Sequence, residues 1–222
     1  FLHAATMVWP VTFLGYPAAM QRHFNALAVL LLALVLAACG KVPRLDTLGA
    51  NDVVLAFGDS LTFGTGAAPS ESYPAQLGVL INRRVVNAGV PGEVSADGLA
   101  RLPAMLEEHR PKLLILCHGG NDFLRKLPEA AAADNIRAMI RLAKAQRVEV
   151  VLMATPKPGL SIAPPDFYAD IAKEFGLPFN DSVLKEVLRD NATKSDLVHP
   201  NAKGYGVIAE ALASLLKKAK AI

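Results

Sequence analysis

The chain has 222 residues, of which 52% are hydrophobic and 19% are charged, so it can bury one sizeable core and lacks the composition of a disordered protein. Its formal net charge of +3 is spread along the sequence without the Lys/Arg runs that a nucleic-acid groove needs. We therefore expect a single folded domain and no nucleic-acid partner.

The first segment with a strong pattern, residues 26–38, is apolar throughout and is typical of an export signal. It is shorter than the roughly 20 apolar residues that span a bilayer. It runs into Leu36-Ala37-Ala38-Cys39-Gly40, which resembles the bacterial lipobox, whose cysteine accepts a diacylglyceryl group. We expect a lipoprotein signal peptide over residues 20–38 and a mature protein that is exported and membrane-anchored through lipid on Cys39.

Two alternatives remain for this segment: a buried Cys39 within an ordinary hydrophobic helix, and an uncleaved N-terminal anchor. Residues 1–19 precede Met20, a credible initiator, and are interpreted as an upstream extension. Residues 39–50 are predicted to form the lipidated cysteine and a short tether. The folded domain is then predicted to cover residues 51–222. With Cys39 assigned to lipid, only Cys117 remains, so no intramolecular disulfide is expected.

The domain is predicted to alternate strands and helices. Short apolar runs, typical of strands buried on both faces of a parallel sheet, occupy Val53–Phe57, Arg84–Ala88, Lys112–Cys117, Val148–Ala154 and, more weakly, Leu177–Asn180. Helical segments are predicted at Ala96–His109, Ala131–Gln146, Phe167–Phe175, Ser182–Arg189 and Gly204–Ala219. Right-handed crossovers would make this a three-layer α/β/α sandwich around a parallel sheet of about five strands, with functional loops at the carboxyl ends of the strands.

Two of these strand-end loops carry small and polar residues. Phe57-Gly58-Asp59-Ser60-Leu61-Thr62 puts Ser60 at a strand-to-helix turn, where its hydroxyl lies near a helix amino terminus. Asn87-Ala88-Gly89-Val90-Pro91-Gly92 follows the second strand, and its glycines let the main chain approach a ligand and offer an N–H to an oxyanion. Each motif alone also describes a common turn.

Two further motifs complete the pattern. Gly119-Gly120-Asn121-Asp122 follows the third strand, where the Asn121 amide can be aimed at the same point, although this run is also a common turn. Asp196-Leu197-Val198-His199-Pro200 lies near the carboxyl end. Its spacing of three is predicted to set both side chains on one side of a helical turn, so that the carboxylate accepts from one ring nitrogen and leaves the other as a base.

In this order, the four motifs resemble those of the GDSL or SGNH hydrolase family, and the resemblance runs from about residue 51 to residue 216. It implies an SGNH-hydrolase, flavodoxin-like fold with Ser60 as nucleophile and His199 as general base, oriented by Asp196. It also implies Gly92 and Asn121 as oxyanion-hole donors together with the Ser60 N–H. The run Gly119–Arg125 most resembles the bacterial thioesterase I, lysophospholipase L1 and arylesterase members of the family.

The resemblance implies a serine esterase of short or medium acyl esters, lysophospholipids or acyl thioesters, with no cofactor and no metal. Two alternatives stay open: deacetylation of cell-envelope carbohydrate by the same chemistry, and a non-catalytic, lipid-anchored binding module that has kept the fold. The second is disfavoured because no catalytic position is lost. His118 departs from the apolar or acidic residue expected before Gly119, and either contacts substrate or fills space beside the site.

Overall fold

The computed structural model describes residues 42–159 and 162–222. Within these residues a parallel sheet has the strand order β2-β1-β3-β4-β5. Its strands are β1 (Val53–Gly58), β2 (Arg84–Gly89), β3 (Leu113–Cys117), β4 (Glu149–Met153) and β5 (Phe179–Asn180). The predicted α/β fold with a parallel sheet of about five strands is confirmed, and the last strand is shorter than expected.

Helices cover both faces of the sheet in the described residues. They are α1 (Ser60–Phe63), α2 (Tyr73–Ile81), α3 (Ser95–His109), α4 (Gly120–Leu124), α5 (Glu129–Ala145), α6 (Phe167–Phe175), α7 (Val183–Arg189) and α8 (Ala202–Lys218). Successive residues of a strand point to opposite faces, so Leu114 and Leu116 of β3 pack with α3, α5 and α6, whereas Leu113 and Ile115 pack with α2, α7 and α8. All of β3 is therefore buried.

Two helices, α2 and α4, were not predicted from the sequence, whereas the short helix α1 begins at the strand-to-helix turn expected at Ser60. Helix α2 lacks the polar outer face of an amphipathic helix, because Val79 and Leu80 are 82% and 53% exposed. It also contains Gly78, a poor helix former. Helices α1 and α4 have 4 and 5 residues, too short for a recognisable period, and the loops at the strand ends define them.

The segment before β1 packs onto the domain. Leu45 and Leu48 are only 5% and 3% exposed. Their N–H groups donate to the carbonyl oxygens of Ala219 and Ala221, over 2.9 and 2.8 Å. The structure therefore differs from the tether predicted over 39–50, and the compact unit begins at Val42 rather than at residue 51. The sequence did not indicate this packing, because a short segment with two leucines has no recognisable hydrophobic periodicity.

The predicted signal segment, Cys39 and the extension over 1–19 lie outside the described residues. In the part of the chain that the structure describes, no helix is both long and apolar enough to cross a membrane.

Candidate active site

Ser60 lies in the sharp turn between β1 and α1. The turn requires glycine at position 58, because a Cβ there would stand 2.1 Å from the main-chain oxygen of Cys117 on the neighbouring strand. Asp59 caps α1, its Oδ1 accepting from the Leu61 N–H over 3.0 Å. Ser60 is consequently the first helical residue and lies just beyond the carboxyl end of β1.

The structure brings Ser60, His199 and Asp196 together from segments 139 positions apart. Ser60 Oγ lies 3.0 Å from His199 Nε2, and His199 Nδ1 lies 2.8 Å from Asp196 Oδ2. An ionised carboxylate only accepts hydrogen bonds, so Nδ1 donates to Asp196 and Nε2 accepts from the Ser60 hydroxyl. This arrangement can move a proton from the hydroxyl to the ring.

Asp196 also shapes the loop that carries His199. Its Oδ1 accepts from the N–H groups of Val198 and His199, over 2.8 and 2.9 Å. An isolated bridge between Lys194 and Pro200 closes the loop. The predicted helical turn is therefore wrong. The Asp196 side chain accepts the main-chain N–H groups of this loop, and Asp residues commonly form such side-chain hydrogen bonds in place of helical ones.

The same contacts keep Asp196 ionised. Desolvation raises its pKa, but hydrogen bonds from the Val198 N–H and from the ring and N–H of His199 outweigh it, so that the pKa lies below its ordinary value. The carboxylate is thus available to orient His199 at neutral pH.

Gly92 and Asn121 line the same cavity as Ser60. The side-chain Nδ2 of Asn121 donates to the main-chain oxygen of Glu93 over 3.0 Å and, more weakly, to Asp59 Oδ2 over 3.3 Å. Arg125 Nη2 donates to the Gly92 carbonyl oxygen over 2.7 Å. Among the described residues, no hydrogen bond engages the main-chain N–H of Ser60 or Gly92. These groups remain free to bind an anion.

All of these predicted site residues except Asp196 line one cavity of about 630 Å³. The polar side chains in its lining include Ser60, Asn121, His199, Lys157 and Lys194, while most of its exposed surface is apolar and includes Leu124, Ile162, Leu188 and Leu197. Leu124 and Leu197 are 49% and 83% exposed, so the apolar surface continues to the mouth of the cavity. The cavity can bind a long apolar group beside the Ser60 hydroxyl.

Sequence reasoning gave no role to Asp59, Glu93 or Arg125, each of which holds a neighbour of Ser60. Arg125 lies four residues after Asn121 in the same motif, and this spacing was the one sequence feature that could have indicated its role. Glu93 gave no signal, because its partners come from separate elements. His118 is fully buried and lies outside the cavity lining, so of its two expected roles the contact with substrate is not supported by the geometry.

The carboxylate of Glu93 binds two basic side chains. Desolvation raises its pKa, but hydrogen bonds and charge from Arg101 and then from His118 lower it to about 2. The ordinary value is 4.5, so Glu93 stabilises the fold above pH 4.5 and this stabilisation is lost as the pH falls towards 2.

We expect this loss to be measurable as acid sensitivity. Between about pH 5 and about pH 3, the free energy of unfolding from urea denaturation should fall more steeply for the wild type than for Glu93→Gln, which has no carboxyl group to protonate. Glu107→Gln, at an exposed position of α3, is the matched control and should keep the wild-type slope. Equal slopes for all three proteins would contradict the assigned shift.

Among the described side chains, no group of three or more His, Cys, Asp or Glu residues is arranged to hold a metal ion.

Comparison with known proteins gives a consistent family assignment. The model of the GDSL-like Lipase/Acylhydrolase family matches residues 56–207, which include Ser60, Gly92, Asn121, Asp196 and His199. The Thioesterase 1/protease 1/lysophospholipase L1 of Escherichia coli (strain K12) is 34% identical over 176 residues, which cover 76% of this chain and 85% of that protein.

Solved structures agree with this result. The crystal structure of TesA matches with a TM-score of 0.67 at 28% identity, covering 75% of this chain and 98% of that one. The SGNH-hydrolase family esterase AlinE4 matches with a TM-score of 0.60 at 33% identity, covering 78% and 98% of the two chains.

Proposed function

Because the chain belongs to the GDSL-like lipase/acylhydrolase family, and is thus a serine hydrolase of carboxylic esters, we propose that it works through an acyl-enzyme on Ser60. The observation that carries the proposal is the chain of contacts from Ser60 Oγ to His199 Nε2, at 3.0 Å, and from His199 Nδ1 to Asp196 Oδ2, at 2.8 Å. A serine hydroxyl is a weak nucleophile until a neighbouring base takes its proton.

The reaction follows from these contacts. His199 Nε2 takes the hydroxyl proton as Oγ bonds to the ester carbonyl carbon, and Asp196 stabilises the imidazolium that forms. The tetrahedral intermediate collapses, the bond to the leaving group breaks, and the imidazolium returns the proton to the departing alcohol or thiol. Water then attacks the acyl-enzyme by the same route, with His199 again as base, and releases the carboxylic acid.

Three donors are assigned to the oxyanion: the main-chain N–H groups of Ser60 and Gly92 and the Nδ2 of Asn121. Asn121 Nδ2 has two protons, of which one is used at 3.0 Å by the Glu93 carbonyl oxygen. Its second contact, at 3.3 Å to Asp59, is long enough to yield to a developing oxyanion. The main-chain N–H groups of Ser60 and Gly92 need no such exchange of partners, and fixed donors of this kind stabilise an oxyanion with little reorganisation.

The cavity supports an acyl chain as the recognised part of the substrate. Most of the exposed surface of its wall is apolar and includes the side chains of Leu124 and Leu197, although Lys157 and Lys194 also line it. Medium-chain esters, lysophospholipids and acyl thioesters offer such a chain, and the name of the Escherichia coli relative includes the last two classes of activity. A carbohydrate O-deacetylase would need mainly polar surface for the sugar, whereas most of the exposed surface of this wall is apolar.

A graded substrate panel tests this choice. We expect kcat/KM on p-nitrophenyl esters to rise from acetyl to medium chain, by up to about fourfold for each buried methylene, at about 0.8 kcal/mol each. Lysophospholipids and acyl thioesters should also be cleaved. Highest activity on acetylated xylan or glycans, with no gain from longer acyl groups, would support the deacetylase instead, and no turnover of any ester would support a binding module.

A pair of variants sharpens the panel. Leu124→Asn removes apolar surface from the cavity and should reduce the gain from longer chains, while the acetyl ester is cleaved as before. Leu80→Asn changes an equally exposed leucine on α2, away from the cavity, and should leave the whole profile unchanged.

We also propose that the protein is exported and lipid-anchored at Cys39, on the support of the apolar run over 26–38 and the small residues before the cysteine. In cells fed a labelled fatty acid, the wild-type chain should carry the lipid label and enter the detergent phase of a membrane extract. The Cys39→Ala variant should carry no label. Retention of the label by the variant would overturn this assignment.

A further inference from the structure

A buried cluster of ionisable side chains lies behind the loop that carries Gly92. Glu93 Oε1 accepts from Arg101 Nε over 2.8 Å, and its Oε2 accepts from Arg101 Nη2 over 2.7 Å and from His118 Nε2 over 3.0 Å. The side chains of Glu93 and His118 are 6% and 0% exposed. Arg101 is anchored in turn, since its guanidinium donates to the Ala88 carbonyl oxygen over 3.0 Å and lies 4.2 Å from the centroid of the Phe57 ring.

The surrounding residues hold the ring of His118 in place. A Cβ at position 98 would stand 2.3 Å from His118 Nε2, so only glycine there leaves room for the ring. Tyr168 donates its hydroxyl to the main-chain oxygen of His118 over 2.6 Å. Since the Glu93 carboxylate accepts, Nε2 carries the proton that it shares with Glu93.

The other ring nitrogen of His118 is left without a partner. His118 Nδ1 is buried and has no hydrogen-bond partner among the described residues. A buried polar atom without a partner destabilises a fold, and an apolar residue of similar size would avoid this cost. The contact between His118 and Glu93 is thus not explained by packing alone, and such local costs are typical of functional sites.

Glu93 connects this cluster to two of the proposed oxyanion donors. It directly follows Gly92 in the chain, and its main-chain oxygen accepts from Asn121 Nδ2 over 3.0 Å. The main-chain N–H of Glu93 donates to the main-chain oxygen of Val90 over 3.2 Å, which closes the turn that contains Gly92. A movement of Glu93 would therefore displace the Gly92 peptide and the Asn121 amide together.

We propose that His118 is a positioning residue, which fixes the oxyanion donors Gly92 and Asn121 through its hydrogen bond to Glu93. The inference rests on the roles given to those two residues in the proposed function. It adds a residue from the strand-end loop of β3 that never touches substrate but determines how well the transition state is bound.

Two substitutions at this position separate positioning from packing. His118→Leu fills the space but removes the donor to Glu93, and we expect kcat per active site to fall about tenfold with KM within about twofold of the wild type. Affinity for an alkyl boronic acid, which forms a tetrahedral adduct with serine, should fall by a similar factor. His118→Gln extends an amide N–H towards the position of Nε2 and should recover most of both losses.

The active-site concentration is measured by titration with a fluorophosphonate that reacts with the catalytic serine, so misfolded molecules do not enter kcat. His109→Leu is the matched control at a histidine outside the cluster and should keep wild-type kinetics. Wild-type kcat in His118→Leu, or an equal loss in His118→Gln, would overturn the inference while leaving the proposed function intact. A wild type that hydrolyses esters but forms no covalent fluorophosphonate adduct on Ser60 would instead overturn the proposed function.

Discussion

Ser60→Ala should lower kcat on a p-nitrophenyl ester by roughly 10⁴- to 10⁶-fold, because the variant has no hydroxyl for His199 to activate. Within residues 42–159 and 162–222 the hydroxyl makes one side-chain hydrogen bond, at 3.0 Å to His199, and α1 remains capped by Asp59. The fold should therefore persist, with a melting temperature close to that of the wild type. Steady-state kinetics and thermal unfolding measure the two effects.

The matched control is Ser70→Ala, which removes an exposed hydroxyl from the short 3₁₀ turn Pro69–Glu71. It should retain wild-type kcat. Turnover by Ser60→Ala at more than about one hundredth of the wild-type rate would contradict a covalent role for this hydroxyl.

Asp196→Asn should lower kcat by about 10³- to 10⁴-fold through the tautomer of His199. The new Oδ1 can still accept from the N–H groups of Val198 and His199, so the loop is preserved. The amide nitrogen, however, faces His199 Nδ1 and donates to it, which moves the ring proton to Nε2 opposite Ser60. The ring can then no longer take the proton from the hydroxyl.

Asp190→Asn is a fitting control, because Asp190 Oδ1 also accepts from a main-chain N–H two residues on, at Ala192 over 2.8 Å, but faces no histidine. Its kinetics should match the wild type. If Asp196→Asn lost activity only in step with its thermal stability, the effect would belong to the loop rather than to the tautomer.

The fold was predictable because its signals are local. Continuous apolar runs such as Leu113–Cys117 mark strands buried on both faces, and their alternation with helices leaves few topologies. The site was predictable for a related reason: in a parallel sheet the loops after β1, β2 and β3 meet at one edge, so motifs far apart in the chain converge.

What the sequence did not predict depends on partners from separate elements. The docking of Leu45 and Leu48 beside the end of α8 could not be predicted, because so short a segment has no recognisable hydrophobic periodicity. The contacts of Glu93 join side chains 8 and 25 positions away, a distance at which sequence spacing holds no information. The loop at Asp196 was assigned a helical turn because spacing alone does not distinguish main-chain from side-chain support.

The most direct test of the account is to map where a fluorophosphonate probe attaches to the full-length protein. The proposed chemistry predicts one adduct, on the peptide that contains Ser60, formed rapidly by the wild type, slowly by Asp196→Asn and not at all by Ser60→Ala. Labelling of another serine, or no labelling of a protein that still hydrolyses esters, would contradict the central role given to the contact between Ser60 and His199.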